Sequence, residues 1–134
     1  MSYKRPISPH LQIYNIFSKA MTSGPSILNR LTGSILAVGL IYLCAWLFCL
    51  AMGKSYYEGY ISFITSWFGW LSLVGISAAF YYHLVNGIRF LVFNMGYWLT
   101  KREVYISGIF MILISLGLYI ATWVYILLIN LKGV

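Results

Sequence analysis

The chain has 134 residues, of which 61% are hydrophobic and only 8% are charged, and its formal net charge is +7. Soluble domains carry about 25% charged residues, so this composition excludes an ordinary soluble protein and predicts that lipid surrounds most of the chain. The basic residues are scattered along the edges of apolar runs, a pattern that favours a role in membrane orientation over nucleic-acid binding.

Residues 1–25 are predicted to form an interfacial segment before the first membrane span. The stretch RPISPHLQIYNIF mixes proline, polar and apolar residues, so we expect it to lie on the membrane surface or to dock to a soluble partner. We expect no secretory signal peptide here. In TSGPSILNRLTG, Ser23 or Ser26 provides a cap and Pro25 suits a first turn, which predicts that a helix starts at this point.

Three long runs contain no Asp, Glu, Lys or Arg. They are Leu31–Gly53 with 23 residues, Tyr60–Ile88 with 29 and Val104–Leu131 with 28. A helix needs about 20 apolar residues to cross a bilayer, and it leaves none of its backbone groups unpaired in hydrocarbon. The sequence therefore predicts an all-α membrane protein, a single membrane-anchor domain with transmembrane helices at about 28–53, 60–90 and 104–131.

The distribution of basic residues predicts the orientation of these spans. The N-terminal segment and the second loop hold most of them: Lys4, Arg5, Lys19, Arg30, Lys101 and Arg102. The opposite side has only Lys54 and Lys132. Because basic residues stay on the side from which a membrane protein inserts, we expect the N-terminus on the cytoplasmic or matrix side.

His83 lies within the second run, in the stretch YYHLVNGIRF. Counted from Tyr60 it lies roughly 34 Å along the helix, in the inner half of the membrane. Ionisable residues at such depth are costly and indicate function, and neutral imidazole is an axial ligand of haem iron. Gly75, Ala79 and Gly87 share its face and leave room for a porphyrin plane beside the helix.

The residues allow two roles for His83 and more than one source of a second iron ligand. His83 either binds haem or only makes a hydrogen bond between helices, since stripes of small residues also mark helix packing. One histidine supplies one axial bond. The second ligand comes either from another subunit or from His10, Met95 or Met111 of this chain.

A second candidate site lies at the start of the first span. Ser26 and Arg30 are four residues apart and share a helix face. The Arg30 guanidinium can pair with haem propionates or donate to a quinone carbonyl, while Ser26 adds a hydroxyl donor and Ile27 an apolar wall. The alternative is that Arg30 only sets orientation and Ser26 only caps the helix. Arg89 lies on a different face from His83, which favours a structural or lipid-facing role.

Three motifs occur in order along the chain: RPISPHLQIY, SILNRLTG and HLVNGIRF. Together they resemble the larger membrane-anchor subunit of succinate dehydrogenase, the cytochrome b subunit of complex II. The resemblance implies a subunit without succinate chemistry of its own that holds a flavoprotein and an iron–sulfur subunit at the membrane. It also implies a helix bundle completed by a second, small anchor subunit.

The resemblance further implies the cofactors and the residues that bind them. One haem b lies between the two anchors, with one axial histidine from each, and His83 matches the iron ligand of this chain. Ser26 and Arg30 match residues of a ubiquinone site at the junction with the iron–sulfur subunit, with Arg30 also near the haem propionates. His10 falls in the motif that faces the iron–sulfur subunit.

This chain departs from the family pattern at three positions. Many members have histidine where this chain has Asn29, and that histidine helps to hold a propionate. Phe90 and Asn94 replace a histidine and an aspartate of some relatives. Asn29 can still donate a hydrogen bond but carries no charge, so we expect altered propionate contacts.

Other functions compete with a redox anchor. A non-redox scaffold or assembly protein fits three plain spans. A transporter predicts broken helices or several polar groups at mid-membrane, whereas the third span has only weak groups such as Ser115 and Thr122. If the chain is a redox anchor, as the resemblance implies, a fumarate reductase anchor is the alternative to a succinate dehydrogenase anchor. We expect the bacterial inner membrane with a cytoplasmic N-terminus, the mitochondrial inner membrane with a matrix N-terminus being the alternative.

Overall fold

The computed structural model of the chain describes residues 20–131, with side chains from residue 24 onward. These residues form four helices: α1 (Ala20–Met52), α2 (Lys54–Thr65), α3 (Trp67–Asn94) and α4 (Lys101–Leu131). Three stretches are long and apolar enough to cross a membrane: Gly24–Met52, Trp67–Asn94 and Lys101–Asn130. An all-α membrane protein with three spans is therefore confirmed.

The first helix starts earlier than the capping residues predicted. α1 begins at Ala20, so Ser26 lies inside the helix and Pro25 is its sixth residue. Proline lacks the N–H that would bond to the carbonyl four residues back, so Pro25 leaves one backbone hydrogen bond of α1 unmade without ending the helix. Because α1 begins at Ala20, the predicted helix start at Ser23 or Ser26 is wrong.

The second apolar run is divided between two helices, although the sequence predicts one span from Tyr60. Ser66 takes an extended conformation, and its hydroxyl accepts a hydrogen bond from the Gly69 backbone N–H at 3.3 Å, which starts α3. A Cβ on Gly69 would lie only 2.5 Å from the carbonyl oxygens of Phe63 and Ile64. The close backbone approach at this bend requires glycine, and the membrane span begins at Trp67 instead.

The short helix α2 packs back on its neighbours. Gly53, with φ of 105°, connects it to α1. The Tyr60 hydroxyl donates to the Tyr42 carbonyl of α1 at 2.9 Å, and the Tyr42 hydroxyl donates to Ser72 of α3 at 3.3 Å. α2 therefore braces the end of the α1–α3 pair that lies away from His83.

The last helix starts three residues before the predicted Val104. The Thr100 hydroxyl and backbone N–H both donate to the Glu103 carboxylate, at 2.6 and 3.0 Å, and the Glu103 N–H donates back to the Thr100 hydroxyl at 3.3 Å. This reciprocal capping box satisfies free N–H groups of the first turn. Charged residues can therefore open α4, and the absence of charge is a poor guide to where the helix starts.

α3 contacts both other long helices, whereas α1 and α4 contact each other more sparsely. Near the start of α3, Trp70 packs on Trp123 with ring centroids 4.9 Å apart. From the middle of α3, the Tyr81 hydroxyl lies 2.6 Å from the Thr122 hydroxyl. Most large apolar side chains nevertheless face outward. Such exposure is expected where lipid and neighbouring subunits replace water.

Candidate functional site

His83 lies in the second half of the 28-residue helix α3, where it faces α1. Measured from Trp67 instead of Tyr60, it lies about 24 Å along the helix at 1.5 Å per residue. Its Nδ1 atom is 3.1 Å from the Asn29 main-chain carbonyl oxygen and 3.2 Å from the Thr32 hydroxyl oxygen. The ring is half-buried, so one edge is held by α1 and part of the ring remains open.

These contacts assign the protonation of the imidazole. A carbonyl oxygen can only accept, so Nδ1 must carry the proton that it donates to Asn29. The Thr32 hydroxyl donates to the Leu28 carbonyl at 2.8 Å and therefore presents a lone pair to the same Nδ1–H. In a neutral ring Nε2 then keeps its lone pair, which is the state required of an iron ligand. The hydrogen bond between helices and the ligand role use different nitrogens of one ring.

The glycines around His83 do not all serve the same purpose. A Cβ on Gly33 would lie 3.2 Å from His83 Cε1, so this residue lets α1 approach the ring. Gly87, one turn from His83, borders open space within the chain, as does Gly75. Ala79 is only 5% exposed. The predicted stripe is therefore interrupted, because Ala79 packs inside the bundle and leaves no room there for a porphyrin.

Asn29 is bound to α3 by its side chain as well as its main chain. The Asn86 amide nitrogen donates to the Asn29 side-chain oxygen at 3.2 Å and to the Pro25 carbonyl at 3.1 Å. Asn86 is fully buried, with 0% exposure. The oxygen of the Asn29 amide thus faces α3, which leaves its NH₂ group as the donor for an external acceptor.

Ser26, Ile27 and Arg30 lie on the first turns of α1 beside the face that holds His83. At 100° per residue, Ser26 lies about 20° and Arg30 about 60° from Gly33 round the helix. Ser26 is half-buried, whereas Ile27 and Arg30 are exposed. The predicted Ser26–Arg30 face is therefore present at the surface, next to the α1 face that contacts His83.

Arg89 does not face lipid. Its side chain is 5% exposed, and its Nε donates to the Ser107 hydroxyl at 3.0 Å while a terminal nitrogen donates to the Val104 carbonyl at 2.9 Å. The guanidinium also lies 4.6 Å from the centroid of the Phe93 ring. Arg89 joins α3 to α4, so its structural interpretation is correct and the lipid-facing one is wrong.

The structure gives the positions of two of the three residues of this chain that were alternatives for the second iron ligand. Met111 is 2% exposed and packs inside the bundle, so its sulfur does not reach a ring bound outside the chain. Met95 is exposed beyond the end of α3. His10 lies outside the described residues. Across residues 20–131, no group of three or more His, Cys, Asp or Glu side chains is able to hold a metal ion.

Thr32 and Asn86 had no predicted role, although both lie within the quoted motifs. The available signal was polarity: a hydroxyl and an amide in apolar spans must find partners in the absence of water. Because helical spacing alone does not identify the partner, their link to His83 and Asn29 appears only in the folded chain.

Known proteins resemble this chain over most of its length. A family model described as the succinate dehydrogenase/fumarate reductase transmembrane subunit matches residues 1–122. The succinate dehydrogenase cytochrome b556 subunit of Rickettsia felis is 36% identical over 90% of this chain and 92% of its own length. The succinate dehydrogenase cytochrome b560 subunit of Marchantia polymorpha is 34% identical over 84% of this chain and 83% of its own length. The chain thus belongs to the succinate dehydrogenase/fumarate reductase transmembrane subunits, as a cytochrome b anchor subunit of succinate dehydrogenase.

Proposed function

We propose that the chain binds haem b through Nε2 of His83 and contributes the Ser26–Arg30 face to a ubiquinone site. The supporting observation is the pair of hydrogen bonds at Nδ1, which leaves Nε2 as the free nitrogen of the ring. Haem b, when bound, supplies a one-electron redox centre within the membrane. The relatives are named cytochrome b556 and b560 subunits, which agrees with this cofactor.

The residues of this chain provide one side of the haem site. His83 is the only histidine from residue 20 onward, and the second histidine for the haem iron would come from the second, small anchor subunit. Gly87 keeps the surface next to His83 free of side chain. The haem would then be held between the two anchors, with the open α3 surface beside His83 facing the second anchor.

The exposed start of α1 supplies the polar groups for ubiquinone. Arg30 offers a guanidinium and Ser26 a hydroxyl, both hydrogen-bond donors to a carbonyl oxygen, while exposed Ile27 provides apolar contact. Arg30 is also able to pair with a haem propionate, and the free NH₂ group of Asn29 can donate to the same group. The iron–sulfur subunit would cover this end of the bundle and deliver electrons to the quinone.

This chain acts as a non-catalytic subunit of an enzyme complex. It carries no succinate chemistry, which belongs to the flavoprotein subunit, and its part is to hold cofactors in position. The excess of basic residues supports an N-terminus on the inner side of an inner membrane, cytoplasmic in a bacterium or matrix-facing in a mitochondrion. Fumarate reduction is the second candidate direction, since the family description includes both enzymes.

The test is a dithionite-reduced-minus-oxidised spectrum of the membrane complex, with wild type beside His83→Ala. We expect the variant to lose or shift its b-type signal while the three spans remain inserted. Ser115→Ala, which removes a polar group bonded only within α4, is the matched control and should keep the signal. An unchanged spectrum in His83→Ala, or no haem in wild type, would overturn the proposed haem site.

A further inference from the structure

We infer that Thr32 is a positioning residue for His83. Together with the Asn29 main-chain carbonyl it holds the imidazole in the tautomer that leaves Nε2 free for iron. The inference rests on the proposed function, because it concerns how the iron ligand is held. Thr32 acts through His83 and needs no contact with the haem.

The two acceptors belong to one short stretch of α1. Asn29, Thr32 and Gly33 lie within about 100° of one another round the helix, so all three face the same edge of the ring. Asn29 and Thr32 supply oxygens at 3.1 and 3.2 Å from Nδ1, and Gly33 allows the adjacent Cε1 to approach. The imidazole edge is therefore held in position and orientation by a single helix.

The Thr32 hydroxyl is itself fixed. It lies 2.8 Å from the Leu28 carbonyl and 3.1 Å from the Asn29 carbonyl, and both of these oxygens accept. Its proton is thus directed at α1, which turns a lone pair towards His83. Thr32 is buried, so water does not compete for this contact. Rotation of the imidazole would break both contacts. A proton on Nε2 instead of Nδ1 would set the bare Nδ1 against the Asn29 carbonyl oxygen and would require the Thr32 hydroxyl to turn away from Leu28 in order to donate.

A hydrogen bond donated from Nδ1–H increases the electron density at Nε2, as it does in metal sites where histidine is held by an outer acceptor. A more basic ligand stabilises ferric over ferrous iron and lowers the reduction potential. Removal of the Thr32 acceptor should therefore raise the potential of the haem. A serine at this position keeps the hydroxyl and should keep the potential.

The experiment compares haem midpoint potentials in the assembled complex. We expect an upward shift in Thr32→Val, and values close to wild type in Thr32→Ser. Thr122→Val is the matched control, because the Thr122 hydroxyl contacts Tyr81 and makes no hydrogen bond to His83, and it should show no shift. Loss of haem in Thr32→Val with retention in Thr32→Ser also agrees with the proposal. Wild-type potential in Thr32→Val, or loss of haem in both variants, would overturn it.

A second measurement separates this inference from the haem assignment. In His83→Gly complex, added imidazole can donate to Asn29 and Thr32 while binding iron, whereas 1-methylimidazole has no N–H to donate. We expect imidazole to restore the b-type spectrum at about tenfold lower concentration, the worth of one hydrogen bond. Equal rescue by the two compounds, or rescue by neither, would overturn the role of the acceptors. A wild-type spectrum in His83→Gly without additive would instead overturn His83 as the ligand.

Discussion

Asn86 of α3 donates from one amide nitrogen to two groups of α1, the Pro25 carbonyl at 3.1 Å and the Asn29 side-chain oxygen at 3.2 Å. Its side chain is completely buried. Asn29 also accepts from His83 through its main chain. One residue of α1 thus receives hydrogen bonds from two successive turns of α3, which holds the start of α1, and with it Ser26 and Arg30, at a fixed position beside His83.

We expect Asn86→Ala to lower the stability of the complex by about 1–2 kcal/mol, because it removes two interhelical hydrogen bonds in a site without water. The measurement is the temperature at which the detergent-solubilised complex loses half of its helical circular dichroism. Ser115→Ala removes a polar group of similar burial that bonds only to Met111 of its own helix, and it should change the temperature little. Equal effects of the two substitutions would contradict the interhelical role of Asn86.

Gly33→Ala should disturb His83 directly. The added Cβ would lie 3.2 Å from His83 Cε1, so the ring must move by a few tenths of an ångström or α1 must shift away. We expect an altered or weakened b-type spectrum. Gly39→Ala provides the contrast, since its Cβ would lie 2.8 Å from a methyl group of Ile76 and far from the imidazole. That control should lower thermal stability and leave the spectrum unchanged, and the reverse pattern would contradict the assignment.

Arg30→Ala should separate two activities of the complex. Loss of one charge-assisted hydrogen bond to a quinone carbonyl is expected to lower succinate-dependent quinone reduction by about tenfold or more. Succinate oxidation with a soluble dye acceptor should be nearly unchanged, because electrons then leave before the quinone. Arg102→Ala, which removes another exposed basic residue from the same side, is the control for orientation. Equal loss in both assays would point to failed assembly and away from a quinone contact.

Arg89→Lys should destabilise the α3–α4 pair even though it keeps the charge. The guanidinium bonds the Ser107 hydroxyl through Nε and the Val104 carbonyl through a terminal nitrogen, a fork that a single ammonium group does not reproduce. We expect less of the subunit in membranes and a lower melting temperature. The control is Arg102→Lys at an exposed position, which should be neutral. Wild-type stability of Arg89→Lys would show that charge alone is sufficient at residue 89.

The sequence by itself determined the class of protein and the number of spans. Charge-free runs of more than twenty residues have the length of spanning helices, which pair their backbone groups internally where hydrocarbon offers no partners. The same physics made His83 conspicuous, because an ionisable group within such a run is costly. The motifs around Ser26, Arg30 and His83 were sufficient to indicate the family, which the comparisons confirmed.

The tertiary structure decided three features that depend on contacts between helices: the bend at Ser66, the environment of Arg89 and the tautomer of His83. The bend at Ser66 depends on the close approach of Gly69 to the carbonyls of α2, and hydropathy does not detect it because both sides of the bend are apolar. Whether Arg89 faced lipid or protein depended on the Ser107 hydroxyl of another helix, 3.0 Å away. The tautomer of His83 depends on a carbonyl 54 residues earlier in the chain, and only the packing of α1 against α3 brings the two together.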